Sequence, residues 1–232
     1  MKQKIWLKFT ILLLIVVCVS ASNVAAKSED LGITPRLQNT PVWCWVTVLQ
    51  MVFEHYDIPN VNPGGDYQCG IIGALAGPNN VCFQDCRRCI VSAQSLEHIH
   101  AAIPFYPDAV EYLTRRPVKN LSASSQSSRL TKSEVKAEID AARPIIVGIS
   151  FDNMPRPLSQ HVALIVGYDE DSKSNLRLTV NDPFPYNLPQ FSKNKNPYVK
   201  AGGTGNSDGS FTIDYDKFSS GLNWKESIYN IR

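Results

Sequence analysis

Gln38-Asn-Thr-Pro-Val-Trp-Cys44-Trp-Val-Thr-Val-Leu-Gln-Met-Val-Phe-Glu-His-Tyr56 is the stretch on which the reading of this sequence turns. From Trp43 to Tyr56 it contains neither Gly nor Pro, and Pro41 marks the approach to a helix. Val48, Leu49, Val52 and Phe53 recur at helical spacing, although the β-branched run Val46, Thr47 and Val48 weakens the intrinsic preference. The expectation is a buried central helix with Cys44 in its first turn. There the unpaired backbone N–H groups and the positive end of the helix dipole favour an anion such as a thiolate.

Upstream, Lys2, Lys4 and Lys8 precede the apolar run Phe9 to Val19 and then small residues, the layout of a secretory signal. The uncharged run falls short of the ~20 residues that a spanning helix needs. Residues 1–26 are therefore expected to be a signal, cleaved after Ala21 or Ala26, and residues 27–232 one secreted or periplasmic domain without an integral membrane segment. Of six cysteines, Cys18 leaves with the signal. Cys69, Cys82, Cys86 and Cys89 cluster in a Gly/Pro/Asn-rich stretch, and Cys44 stands alone. In an oxidising compartment the clustered four are disulfide candidates, with three connectivities open. A four-thiolate zinc site, with His98 and His100 as alternative ligands, is the rival arrangement. Disulfides are favoured because export favours oxidation, so no metal and no cofactor are expected.

Downstream, Pro59 to Cys89 reads as an irregular loop region pinned by the cysteines. Ser95 to Ala102 reads as a short helix, and Ser122 to Arg129 as a surface loop or hinge. Thr131-Lys-Ser-Glu134 is a capping-box signature for a helix that Arg143-Pro144 stops. Pro144 to Ser150, His161 to Tyr168 and Leu176 to Asn181 are β-rich runs bounded by turn residues, with Phe211 to Tyr215 and Ser227 to Ile231 as candidate edge strands. Gly202 to Gly209 is a loop, since no Lys-Ser/Thr and helix follow to make a phosphate cradle. A helical first half followed by an antiparallel sheet is an α+β layout. The formal net charge of +2 implies no nucleic-acid or acidic partner.

Gln38 to Trp45, with Gln six positions before the Cys and a Trp after it, resembles the nucleophile segment of papain-like cysteine peptidases. Gln160-His161-Val-Ala-Leu-Ile-Val-Gly-Tyr168 is similar to the family's histidine strand, and Val180-Asn181-Asp182-Pro183 to its third-residue segment. The resemblance runs from about Leu37 to the end of the sheet, toward bacterial secreted and effector branches. It implies a central nucleophile helix packed on a C-terminal antiparallel sheet. It further implies a thiol endopeptidase acting on a protein or peptide as a monomer. Cys44 would be the nucleophile, His161 its base, and Gln38 an oxyanion donor together with the Cys44 backbone N–H. A thiol is mostly un-ionised at neutral pH, so the chemistry needs an imidazolium or a helix N-terminus beside it.

Asp182 is the first choice to orient His161, with Asn181 as competitor. Leu178, Val180 and Asp182 share one strand face, so Asp182 points inward if that face packs toward the helix. Two other functions fit the same residues. One is another Cys-dependent acyl transfer, a peptidoglycan amidase or a transglutaminase; the other is a non-catalytic binding module on the same fold. About ten residues separate Ala26 from Gln38, too few for an inhibitory pro-domain, so no long propeptide is expected.

Overall fold

Among the described residues, helices predominate up to Thr114 and antiparallel strands after it, the α+β arrangement that was expected. The computed structural model describes residues 26–77, 79–151, 161–186 and 195–232. The expected signal, apart from Ala26, lies outside the described residues. In order, the elements are β1 (Lys27–Asp30), α1 (Cys44–His55), α2 (Tyr67–Ala76), α3 (Val81–Gln84), a 3-10 turn (Cys86–Arg88), α4 (Leu96–Thr114), β2 (Ser124–Gln126) and α5 (Lys132–Asp140). There follow β3 (Ile145–Ile149), β4 (His161–Glu170), β5 (Leu176–Asn181), α6 (Pro197–Lys200), β6 (Thr204–Gly205), β7 (Phe211–Asp214), α7 (Tyr215–Gly221) and β8 (Glu226–Tyr229). No helix among the described residues is long and apolar enough to cross a membrane.

The sheet runs β2-β8-β3-β4-β5-β7-β6, and β1 joins it beside β4. Every pairing is antiparallel. β4 is the axis of the molecule: its first half pairs with β3, its second half with β1, and β5 lies along its other side. Both of its faces are covered. Val162, Leu164 and Val166 enter a core shared with α1, α2 and α4, whereas Ala163 and Ile165 enter a second core shared with α5, α6 and α7. That explains why its sequence is continuously apolar from Val162 to Val166 instead of alternating.

α1 is the buried central helix that its apolar spacing anticipates, with Cys44 to Leu49 and Met51 to Phe53 all inside. A helix buried all round sits in the middle of a core. α5 opens with the anticipated capping box, Thr131 and Glu134 each bonding the other's backbone N–H.

Several expectations are corrected. The stretch read as a pinned loop contains α2, whose N-cap Asp66 accepts from the Cys69 N–H. Gly70 and Gly73 within it allow close approach: a Cβ on Gly73 would lie 2.5 Å from the Phe83 ring. The helix expected to end at Ala102 runs to Thr114 through Pro104 and Pro107. Burial of Ile99, Ala102, Ile103, Tyr106 and Val110 along one side offsets the hydrogen bonds the prolines remove. The loop or hinge at Ser122 to Arg129 contributes β2, and the loop from Gly202 contributes β6. Those two short strands cover β8 and β7, so neither of the latter is an edge.

Candidate active site

Cys44 is the first residue of α1 and is 5% exposed. The helix begins without a side-chain cap: Trp43 occupies the N-cap position, buried and tied by its indole N–H to the Val91 carbonyl at 3.2 Å. No side chain therefore competes for the first-turn N–H groups. Packing of Trp43, and of α1 on β4, fixes where the thiol points.

His161 opens β4, and the register of the sheet decides its neighbour. Leu164 pairs with Asn181; one step further along this antiparallel pair Asp182 falls opposite Ala163, two residues and hence one same-face step from His161. His161 Nε2 meets Asp182 Oδ1 at 2.7 Å, both residues buried. Cys44 is near enough to act on the His161 imidazole, and with Nε2 occupied by Asp182, Nδ1 is the nitrogen left for the thiol. Burial acts to lower the imidazole, but the charge and hydrogen bond of Asp182, together with Cys44, outweigh it and raise the group well above its ordinary value. The arrangement favours an imidazolium lying between a carboxylate and a thiol.

Asp182 is held by three donors. Besides His161, the Phe184 N–H donates to Oδ1 at 2.8 Å and the Tyr198 hydroxyl to Oδ2 at 2.7 Å. The Tyr198 phenol is buried, and burial followed by the nearby Asp182 charge pushes it well above its ordinary value, so it remains a proton donor. Its ring stacks on Phe211, centroids 4.1 Å apart. Tyr186 stands edge-on to His161 at 6.4 Å and links Phe151, Phe184 and Tyr198 into one aromatic wall.

Asn181 faces the other way, its Nδ2 donating to the Ile33 carbonyl at 2.7 Å. The premise of the parity argument needs correction: the Leu176, Leu178 and Val180 face is turned to the second core, away from α1. Asp182 still shares that face, because His161 lies on the same side of β4 as Ala163 and Ile165.

Gln38 lies in the segment entering α1. Its backbone N–H donates to the Pro183 carbonyl at 3.0 Å, beside Asp182. Its Nε2 donates to the Thr40 carbonyl at 2.7 Å, the same oxygen that receives the Trp43 N–H. One amide hydrogen is thus used over the turn into α1, and the second remains. Among the described residues the buried Oε1 has no partner.

Cys69 pairs with Cys86 and Cys82 with Cys89, resolving the open connectivity, and among the described residues Cys44 is the free cysteine. The zinc alternative thus has no free thiolates, and its other proposed ligands point elsewhere. His98 is exposed and bonded to Ser95, while His100 bonds the Ala123 carbonyl. Both lie on a helix, where residues two apart diverge.

Tyr198, Tyr186 and Phe151 were not singled out by sequence reasoning. The available signal for Tyr198 was Asn196-Pro197, an N-cap and N1 pair in which the Asn196 side chain accepts from the Tyr198 and Val199 N–H groups.

A family model described as the Peptidase_C39 like family matches residues 30–205, a span containing every residue of this site. No curated protein matches. Among solved structures, digestive procathepsin L 3 of Tenebrio molitor larval midgut matches with a TM-score of 0.49 and 12% identity, over 90% of this chain and 71% of that one.

Proposed function

Since this chain belongs to the Peptidase_C39-like family and is a cysteine-type peptidase, we propose that it is an exported, papain-like thiol endopeptidase, its domain spanning residues 27–232, that hydrolyses peptide bonds through a thioester on Cys44. The observation that carries this reading is the buried line from Cys44 through His161 to Asp182, with His161 Nε2 2.7 Å from the carboxylate.

In this mechanism the Cys44 proton resides on His161, and the thiolate attacks the scissile carbonyl carbon, forming the C–S bond. The oxyanion is held by the second N–H of the Gln38 amide and by the Cys44 backbone N–H. Collapse of the adduct breaks the C–N bond, and the leaving amine takes the His161 proton. Water then enters, gives a proton to His161 as it attacks the thioester, and releases the acid and the thiol. Asp182, through its bond to Nε2, keeps Nδ1 turned toward sulfur. The aromatic wall of Phe151, Phe184 and Tyr186 keeps water from the imidazole, which strengthens these charges. The two disulfides are compatible with an extracellular protein, and export directed by residues 1–26 would account for them.

A thiol-reactive peptidyl probe and a mixed peptide library test the proposal together. The wild type should be labelled on Cys44 and should cleave a subset of the library, and Cys44→Ala should do neither. Acyl transfer to an added amine, with no hydrolysis, would replace the peptidase reading by a transferase one. A wild type that neither labels nor cleaves would leave a binding module.

A further inference from the structure

Gln68, on α2 and away from the reacting line, is nearly fully buried, with 4% of its surface exposed. Its Oε1 accepts the Asn39 N–H at 3.0 Å, and its Nε2 donates to the Leu37 carbonyl at 2.9 Å. One side-chain amide thereby makes the two hydrogen bonds that a neighbouring strand would make, one on each side of Gln38. The Gln38 N–H leaves from the opposite edge, to Pro183. Residue 38 is thus gripped between the helical half and the loop that carries Asp182.

The sense of the Gln68 amide is not free. Its Nε2 also donates to Gln50 Oε1 at 3.2 Å, and Gln50 in turn spends its own Nε2 on Glu54 Oε1 at 2.9 Å. A carboxylate only accepts, so Glu54 dictates which end of Gln50 is the carbonyl, and Gln50 dictates which end of Gln68 donates. Glu54 is itself held by Arg36 at 2.8 Å, which returns the chain of bonds to the segment bearing Gln38. The result is a closed circuit around the backbone on which the oxyanion donor is mounted.

Resting on the peptidase reading above, we propose that Gln68 is a positioning residue for transition-state stabilisation: through Leu37 and Asn39 it sets where the Gln38 amide meets the oxyanion. It touches neither substrate nor Cys44. Misplacement of a catalytic group by about 1 Å can cost ~10²-fold, and removal of an oxyanion donor costs ~10²–10³ in kcat, so loss of Gln68 should cost about ten- to a hundredfold.

The test compares two reactions of the same thiol. Iodoacetamide alkylates Cys44 at a saturated carbon and builds no oxyanion; hydrolysis of a fluorogenic peptide chosen from the library builds one. Gln68→Met keeps the volume without the polar atoms, and Gln68→Glu keeps the acceptor without the donors. Each should lower kcat by about ten- to a hundredfold at unchanged KM, while the alkylation rate and its pH profile stay at wild-type values. Alkylation also reports that the variant is folded. In a Gln38→Ala background, Gln68→Met should lower kcat no further. The proposal is overturned if hydrolysis is unchanged in both Gln68 variants, if alkylation falls in parallel with hydrolysis, or if the Gln38 and Gln68 effects multiply. A wild type that alkylates but cleaves no peptide would sink the peptidase reading itself. If Gln38→Ala hydrolyses at the wild-type rate, the peptidase reading stands and the role given to Gln68 falls.

Discussion

Cys44 arrives at the site on a helix whose surroundings are tied by two disulfides and a circuit of side-chain amides, whereas His161 opens β4 and Asp182 directly follows β5, strands that backbone register brings together. The helical half makes its precision from short-range crosslinks in a glycine-rich segment. The sheet half makes it from pairings between β3, β4 and β5, to which side-chain identity contributes little. Damage should therefore separate: the thiol's setting can be loosened without disturbing the imidazole, and the imidazole can be retuned without moving the thiol.

The largest effects come from deleting either side of the pair. Cys44→Ala and His161→Ala should each lower turnover by ~10⁵-fold or more, because a nucleophile and its base act as a unit. The double variant should be no slower than either single one. Multiplying losses would mean that the two halves do not meet in one mechanism.

Next in size is the choice between adjacent residues on the sheet side. Asp182→Asn should lower kcat by ~10⁴-fold, and Asn181→Ala should change it little, since Asn181 bonds the Ile33 carbonyl and not His161. The inverse result would reassign the third position. The pH dependence carries a sign. His161 is raised above its ordinary value of about 6.5. The stabilisation from its partners is therefore fully present below that value and is lost as pH rises through the higher folded value. In the wild type the alkaline fall of peptide hydrolysis, whose leaving amine takes the His161 proton, should thus lie well above pH ~6.5. In Asp182→Asn, burial acts without the opposing carboxylate, and the fall should move toward acid. NMR titration of the His161 ring reads both proteins directly, and an unmoved titration in the variant would contradict the assignment of Asp182 as its main partner.

The same contrast governs what the amino-acid sequence disclosed. α1, the capping box at Thr131 and the strands β3, β4 and β5 follow from periodicity and turn residues, because each is long or strongly patterned. Cys44, His161 and Asp182 are candidates because their segments resemble the nucleophile, histidine and third-residue segments of papain-like peptidases, and sheet register brings the last two within 2.7 Å. The helical half was harder to read. α2 lies between the turn signals Asn62-Pro-Gly-Gly65 and Gly77-Pro-Asn-Asn80, which make the whole stretch read as loop, and its Gly70 and Gly73 serve close packing against Asn60 and Phe83, a tertiary reason. Pro104 and Pro107 should end a helix on local grounds, and only burial against α1 and α2 carries α4 past them. Disulfide pairing, the Gln68 grip and the Tyr198 bond to Asp182 join residues from separate elements, and no window of sequence contains them.

Removing the crosslink on the helical side tests the separation itself. The Cys69–Cys86 disulfide spans 17 residues and Cys82–Cys89 spans 7. By the chain-entropy argument the longer loop contributes about 3 kcal/mol, and the shorter one less. Cys69→Ser/Cys86→Ser should lower stability toward urea by about 3 kcal/mol, and Cys82→Ser/Cys89→Ser by a smaller amount. In both, the His161 titration should stay where it is in the wild type, because β4 and β5 are untouched. A shifted titration would show that the sheet-side pair depends on the helical half after all.

The smallest effect probes the sheet side at a single atom. Tyr198→Phe removes the hydroxyl that donates to Asp182 Oδ2 at 2.7 Å and keeps the ring stacked on Phe211. Burial leaves that carboxylate oxygen without a replacement donor, a loss of about 1–3 kcal/mol. Part of it should appear as lower stability and part as a looser imidazole. The expected outcome is a kcat lowered about tenfold, equivalent to about 1.4 kcal/mol, at unchanged KM, with a matching drop in the rate of Cys44 alkylation. That pairing of readouts sets Tyr198 apart from Gln68, whose loss should spare alkylation. Tyr198 acts through the imidazole, which both reactions use, and Gln68 acts through the oxyanion, which only hydrolysis forms. If Tyr198→Phe lowers the melting temperature and leaves both rates alone, the hydroxyl serves the second core and not the orientation of Asp182.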